Sequence, residues 1–189
     1  MKKTVWIIII AAIVLIGAWF WSSYNKLVTA NEGVDNQWAQ VEAQYQRRFD
    51  LIPNLVNTVK GAMAQEQSVF GALAEARTKY SGASSINDKA AAATEVESAL
   101  SRLLVIMENY PELKSMETVQ TLMAQLEGTE NRISVERSRF NDAVKSFNVM
   151  IKRFPTNTIA GLFGFSTKTY FDVAETAAVA PTVNLELNK

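Results

Sequence analysis

The chain contains neither cysteine nor histidine among its 189 residues. The absence of cysteine excludes disulfides, thiolate chemistry, cysteine-bound zinc and a lipid-bearing cysteine, although it leaves the cellular compartment open. The absence of histidine removes the usual general base and the commonest metal ligand together. Most of the familiar routes to catalysis at neutral pH are therefore closed to this sequence.

Other signatures of chemistry are missing as well. The sequence has no glycine-rich phosphate loop, no nucleophile elbow and no calcium loop, and the carboxylates of Glu95 and Glu97 would face different directions on a helix. Its 19 basic residues are balanced by 19 acidic ones, which does not indicate a surface for nucleic acid. We predict that the protein is not an enzyme, has no catalytic, cofactor-binding or metal-binding residues, and has no nucleic-acid partner.

One long apolar run is present, close to the N-terminus. Val5 to Trp21 carries no charge over 17 residues, close to the roughly 20 that cross a hydrocarbon core of about 30 Å. Aromatic rings mark both of its ends, where the lipid tails meet the headgroups. A cleaved signal peptide is the alternative, but the bulky residues Trp19, Phe20 and Trp21 stand where cleavage would need small ones. We favour an uncleaved anchor that spans the membrane once.

The charges around this run predict its orientation. Lys2, Lys3 and the amino terminus lie on one side, and only Lys26 lies close on the other. The positive-inside rule then places the N-terminus in the cytoplasm and the body of the protein on the outer side of the membrane. Residues 22–27 contain no proline and no glycine, so we expect the anchor to continue rigidly into the body.

The remainder reads as helices, because its apolar residues recur at intervals of three and four. The breaks fall at residues 81–85, at Tyr110-Pro111 and at Phe154-Pro155. We predict an all-α, up-and-down bundle of long helices with coiled-coil-like seams. Three apolar stripes run through Trp38, Val41, Tyr45, Phe49, Ile52, Val56, Val59, Met63, Phe70 and Leu73; through Ala93, Val96, Leu100, Leu103, Met107 and Tyr110; and through Val119, Met123, Leu126, Ile133, Phe140, Val144, Phe147, Ile151 and Phe154.

Pro53 interrupts the first stripe. A proline inside a helix removes a hydrogen bond and should kink or end the helix, yet the stripe keeps its phase from Phe49 and Ile52 to Val56. We favour a kinked but continuous helix over a hairpin at this point. Residues 24–80 would then form one rod of about 85 Å, at 1.5 Å per residue.

Several short motifs lie along the body of the chain, of which the most specific is RRFDLIPNLV at residues 47–56. The others are YNKLV at 24–28, VKG at 59–61, AR at 76–77, YPELK at 110–114, RFN at 139–141, FN at 147–148, FP at 154–155 and GF at 164–165. With these motifs the sequence resembles the LemA family of bacterial membrane proteins, over residues 24 to about 171. Gln65 departs from the family, whose members often have histidine there, and this weakens any metal or proton-transfer role beside Glu66.

The resemblance implies a protein of the bacterial inner membrane with a single N-terminal membrane helix followed by a four-helix bundle. It supplies no enzymatic activity. We divide the chain into an anchor at residues 1–23, a helical bundle at 24–155 and an apolar C-terminal tail at 156–189. The polar positions that the resemblance selects, with a structural or partner-binding role, are Arg47, Arg48, Asp50, Pro53, Asn54, Lys60, Glu66, Arg77, Glu130, Arg137, Arg139, Asn141 and Asn148.

Two pairs of these polar residues lie seven apart along the third stripe. Glu130 and Arg137 occupy positions where apolar side chains would cost less, so either their stems pack while their charged ends reach water, or they belong to a buried network with the polar residues around Pro53. Asn141 and Asn148 lie beside the seam. They either set the register of packed helices or form a surface for another subunit.

The chain changes character after Pro155. Residues 159–165 form a short apolar run, with basic residues before and after it. This tail either folds back over the bundle or contacts the membrane or a neighbouring subunit, because basic residues beside exposed aromatic rings suit anionic headgroups. Residues 174–189 either add an edge strand or stay loose. The candidate residues for a membrane or subunit contact are Leu162, Phe163, Phe165, Tyr170 and Phe171.

Two functions are compatible with these features. The first is a non-enzymatic membrane scaffold that associates with copies of itself and organises or remodels the bilayer. The second is an adaptor that recruits another membrane protein, such as a membrane peptidase or an envelope signalling protein. The expected partners are the lipid bilayer, further copies of the chain and, for the adaptor, that other membrane protein.

Overall fold

The computed structural model describes residues 2–171, and this part of the chain is all-α, as the sequence predicts. No strand occurs in it. The question of an edge strand at 174–189 lies outside the described residues. The helices are α1 (Lys2–Val59), α2 (Gln67–Gly82), α3 (Ile86–Met107), α4 (Pro111–Ser115), α5 (Glu117–Lys152) and α6 (Thr156–Leu162).

Helix α1 contains both the anchor and the first part of the body. Its apolar run is exposed on every side, and burial begins at Ser23 and Leu27, where the helix enters the folded part of the protein. Pro53 lies inside the helix, so the prediction that α1 continues through it is confirmed. The lost hydrogen bond is offset by burial on both sides of the proline, at Ile52 and Leu55.

The prediction that one helix reaches residue 80 is wrong. Helix α1 ends at Val59, residues 60–65 form a turn, and α2 returns so that Tyr80 packs edge-on against Phe49 with ring centroids 4.6 Å apart. The sequence does not reveal this reversal because the apolar stripe continues through it. Met63 is buried in the turn, and its N–H donates to the carbonyl of Val59 at 3.0 Å, as it would in a helix.

The described residues form two compact units. The first consists of the chain up to Arg48 together with Leu126–Tyr170, and the second contains Phe49–Gln125 and Phe171. In the first unit, α1 and α5 are antiparallel. Gln37 contacts Glu136, whereas Arg48, further along α1, contacts Glu130, which is closer to the start of α5. The buried apolar side chains of this unit include Leu27, Val34, Val41, Ile133, Phe140 and Val144.

The second unit is built mainly from the end of α1, from α2 and α3, and from the first turns of α5. Ser85 caps α3, since its hydroxyl accepts a hydrogen bond from the N–H of Asp88 at 3.0 Å. On the outside, Lys79 of α2 donates to Glu95 of α3 at 2.8 Å. The buried apolar side chains of this unit include Leu55, Leu73, Val96, Leu100, Leu103 and Val119.

Candidate functional site

An ion pair joins α1 to α5 in the first unit. The Arg48 guanidinium donates to the carboxylate of Glu130, and the arginine side chain is only 9% exposed whereas that of the glutamate is 44% exposed. Glu130 is thus paired with one of the polar residues near Pro53, as in one of the two alternatives, while its half-exposed carboxylate reaches water, as in the other. Burial of a guanidinium is costly without a carboxylate beside it, so the pair fixes the register of the two helices.

A second polar contact on the same two helices was not predicted. Glu136 of α5 accepts from the amide of Gln37 at 2.7 Å through one oxygen and from Arg139 at 2.8 Å through the other. The spacing of three between Glu136 and Arg139 is a sequence signal for an ion pair within the helix. The contact to Gln37 has no such signal, because 99 residues separate the partners along the chain.

Asn148 holds the segment that follows α6. Its side-chain amide donates to the carbonyl oxygen of Lys168 at 2.9 Å and accepts from the N–H of the same residue at 2.8 Å. The ammonium group of Lys168 reaches Asp35 of α1 at 3.0 Å. The buried amide of Asn148 therefore bonds to the backbone of the C-terminal segment. The sequence could not predict this contact, because the partner groups belong to the backbone and a pattern of side chains does not locate them.

Aromatic rings pack where the anchor enters the body. Phe163, just after α6, lies against Phe20 and Tyr24 of α1, with centroid distances of 5.9 and 4.6 Å. Phe165 approaches Tyr24 and Phe147, each at 6.3 Å. The C-terminal segment thus folds back onto the first unit, at the level of the anchor's end.

Gly164 makes this return possible. Its φ of 74° lies in the left-handed region, and the N–H of Phe165 donates to the carbonyl of Ala160 at 2.9 Å. This is the pattern of a Schellman motif, in which a left-handed glycine closes the end of a helix. The motif turns the chain so that Phe163 and Phe165 both face α1.

The five residues predicted to contact a membrane or a subunit separate into two groups. Leu162, Phe163 and Tyr170 are exposed. Phe171 is buried and Phe165 is half-buried between rings of the same chain, so neither is free for such a contact. The sequence predicted a contact role for these two because an apolar side chain looks the same in sequence whether it packs within the protein or against a partner.

An open groove of about 580 Å³ runs beside the same end of the anchor. It lies between α1 and α5. Trp21 and Met150 supply its apolar sides, and Lys26 supplies a positive charge. The other lining residues are Ser22, Asn25, Thr29 and Ala30.

The remaining positions of the family pattern are spread over both units rather than gathered at one site. The exposed ones are Arg47, Asp50, Asn54, Lys60 and Arg139, and the half-buried ones are Pro53, Glu66, Arg77, Arg137 and Asn141. Asn54 donates to the backbone carbonyl of Asp50 at 3.4 Å.

Acid–base groups in the described part of the chain offer little chemistry. Residues 2–171 contain no group of three or more acidic side chains that could hold a metal ion. The hydrogen bond from Lys79 to Glu95 raises the pKa of the lysine above its ordinary 10.5. Any stability gained from that raised pKa is present below pH 10.5 and is lost only above it, so it does not change near neutral pH.

The fold and this end of the anchor define a membrane protein with a single apolar N-terminal helix that continues into an all-α body; within residues 2–171, α1 is the helix long and apolar enough to cross a bilayer. Comparison with known sequences is more specific. The chain matches the LemA family over residues 37–185 and belongs to that family. The predicted family is thereby confirmed.

Individual relatives carry one name. Magnetosome proteins MamQ 1 and MamQ 2 of Paramagnetospirillum magneticum are each 26% identical to this chain, covering 87% of it and 71% of their own length. Magnetosome protein MamQ of Magnetospirillum gryphiswaldense is 28% identical with the same coverage. The family and these relatives agree with a membrane protein.

Proposed function

We propose that the protein is a non-enzymatic scaffold of the bacterial inner membrane that associates with copies of itself and organises or remodels the bilayer. The observation that carries this proposal is the continuity of α1, in which the anchor and the body share one helix of 58 residues. A body joined to the anchor by such a helix keeps its angle to the bilayer. A fixed angle suits a protein that organises or remodels the membrane, whereas a tethered enzyme does not need one.

The chemistry of the chain supports the same proposal. Histidine and cysteine are missing from the whole sequence. In the first unit, the Arg48–Glu130 ion pair joins α1 to α5, and the Lys168–Asp35 ion pair joins the C-terminal segment to α1. The names of the relatives place them with magnetosomes and do not describe a reaction. A structural role on a membrane accounts for these features together.

Helix α5 offers a surface for self-association. Val135 and Val149 are both exposed, and their spacing of 14 residues, close to four turns, puts them on one side of the helix. Exposed polar residues, among them Asp142 midway between the two valines, separate them on this side. A contact here would therefore combine two apolar side chains with polar ones. We place the contact between copies on this side of α5.

The test begins with the size of the full chain in mild detergent. We expect large homo-oligomers by mass photometry, formed by the purified protein alone. A monodisperse monomer at micromolar concentration would contradict the scaffold. Capture of a different protein at fixed stoichiometry, after cross-linking in cells, would favour the adaptor instead.

A pair of charge substitutions tests the surface. Val135→Glu combined with Val149→Glu should reduce the oligomers to small species, because each added charge would have to be desolvated in the contact between copies. Val105→Glu adds the same charge at another exposed valine, on α3, and should leave the size unchanged. For remodelling, the wild-type chain should change the diameter of vesicles seen by electron cryomicroscopy, and the double variant should not.

A further inference from the structure

The segment from the end of α5 through α6 carries apolar side chains that the protein does not cover. Phe154 is 85% exposed and Leu162 is 70% exposed. Large apolar side chains exposed within one short segment indicate a surface that contacts a partner or a membrane. Their position relative to the anchor decides between the two.

The anchor sets the height of the membrane surface. From Lys3 to Phe20 the helix rises about 25 Å, which is less than the roughly 30 Å of a hydrocarbon core. Phe20 therefore lies at or below the boundary between lipid tails and headgroups. Because Phe163 packs on Phe20 at 5.9 Å, the end of α6 lies at the same height.

The end of α5 reaches this height independently. Helix α5 runs antiparallel to α1, towards the anchor, and Met150 lines the groove with Trp21. Phe154 lies two residues after the last residue of α5, and so lies near the end of α5 that approaches the anchor. Two separate contacts thus bring the exposed apolar residues to the level of the bilayer. One is the packing of Phe163 on Phe20, and the other is the groove that Met150 shares with Trp21.

Basic residues accompany them. Lys152 and Arg153 are exposed at the end of α5, and Lys26 lies in the groove beside Met150. Arg153 directly follows α5, and its N–H still donates to the carbonyl of Val149 at 3.1 Å. Cations beside apolar rings at this height fit the phosphates of anionic lipids.

We propose that the end of α5 and helix α6 form a second membrane contact, which inserts Phe154, Leu162 and Phe163 at the boundary of the bilayer and binds anionic lipid phosphates through Lys26, Lys152 and Arg153. The occupant of this surface is the same leaflet that the anchor enters. The proposal requires membrane anchoring and does not depend on self-association, so the scaffold can fail while this contact stands.

The absence of cysteine makes the test direct. A single cysteine in a Leu162→Cys variant of the full chain carries an environment-sensitive dye, in nanodiscs that hold one chain each. Val135→Cys is the matched control, because it is also exposed, at 49%, and lies 17 residues before Lys152 on α5, about 25 Å from its end. Lipids brominated near the headgroup report contact by quenching the dye.

The expected result is quenching at Leu162 at least about threefold stronger than at Val135, since only the first dye would lie among lipid tails. Equal quenching at the two positions would overturn the proposal. A blue-shifted dye at Leu162 without quenching would also overturn it, because protein rather than lipid would then cover the residue. Nanodiscs with one chain each keep self-association out of the result.

The basic residues are tested in the same discs. In the Leu162→Cys background, Lys26→Gln, Lys152→Gln and Arg153→Gln together should abolish the increase in quenching that anionic lipid produces over neutral lipid. Free inorganic phosphate, added to neutral discs, should not reproduce that increase if the phosphate must belong to a lipid. An increase that survives the three substitutions would refute the assignment of lipid binding to these residues.

Discussion

The pair of Arg48 and Glu130 shows how much the surroundings of a charge matter at the scale of a single residue. The two carry opposite charges of equal size, yet the arginine is buried and the glutamate is half in water. Loss of the glutamate takes the carboxylate away from a buried guanidinium, whereas loss of the arginine leaves a carboxylate that water can solvate. The two residues should therefore differ in their effect on stability.

We expect Glu130→Leu to lower the free energy of unfolding by about 1–3 kcal/mol, and Arg48→Met to lower it by less. The double variant should be more stable than Glu130→Leu alone, because it removes the buried charge as well. Denaturant unfolding of the full chain in mild detergent, followed by tryptophan fluorescence, measures all three. A larger loss for Arg48→Met than for Glu130→Leu would show that the carboxylate is not the main partner of the arginine.

At the scale of whole elements, the sequence predicted long helices more reliably than it predicted their ends. The stripe from Val119 to Phe154 matches α5, and the break at residues 81–85 separates α2 from α3. The reversal at residues 60–65 was missed because buried Met63 continues the apolar spacing through the turn. Periodicity records which residues are buried and does not record the direction of the chain.

The candidate site was predicted to a smaller extent for a related reason. A charge placed in an apolar seam made the pairing of Glu130 with a polar residue near Pro53 one of two alternatives. The contacts of Asn148 and Lys168 did not, because they join a side chain to a backbone that has no sequence pattern of its own. The aromatic character of Phe163 was evident, but its partner Phe20 depends on how far the chain folds back.

Two glycines allow a prediction about how α6 ends. Gly164 has a positive φ and Gly61 does not, and a Cβ at either one would have open space around it. Gly164→Ala should cost about 1–2 kcal/mol through the backbone alone, and hydrogen exchange should rise in a peptide that covers residues 163–171. Gly61→Ala is the control, and should be neutral or stabilise by about 0.4–1 kcal/mol. Equal effects at the two sites would mean that the left-handed turn is not needed.

At the scale of the molecule, the structure brings together charges that are far apart in the sequence. Lys152 and Arg153 lie more than 100 residues after the anchor, but they lie at the end of α5 that approaches it. The orientation of the anchor is nevertheless set during insertion, by the basic residues that lie close to the span in sequence. Lys2 and Lys3 therefore still outweigh Lys26, and we keep the proposal that the N-terminus is cytoplasmic and the body is on the outer side.

Labelling of single introduced cysteines tests this orientation, because the sequence contains no cysteine of its own. Ser101→Cys lies on an exposed position of α3, and Thr4→Cys lies beside the N-terminal lysines without removing them. A membrane-impermeant maleimide, added to intact spheroplasts, should label Ser101→Cys and should label Thr4→Cys only after lysis. The reverse pattern would place the body in the cytoplasm. The basic residues of α5 would then contact the inner leaflet, and any partner of the body would be a cytoplasmic one.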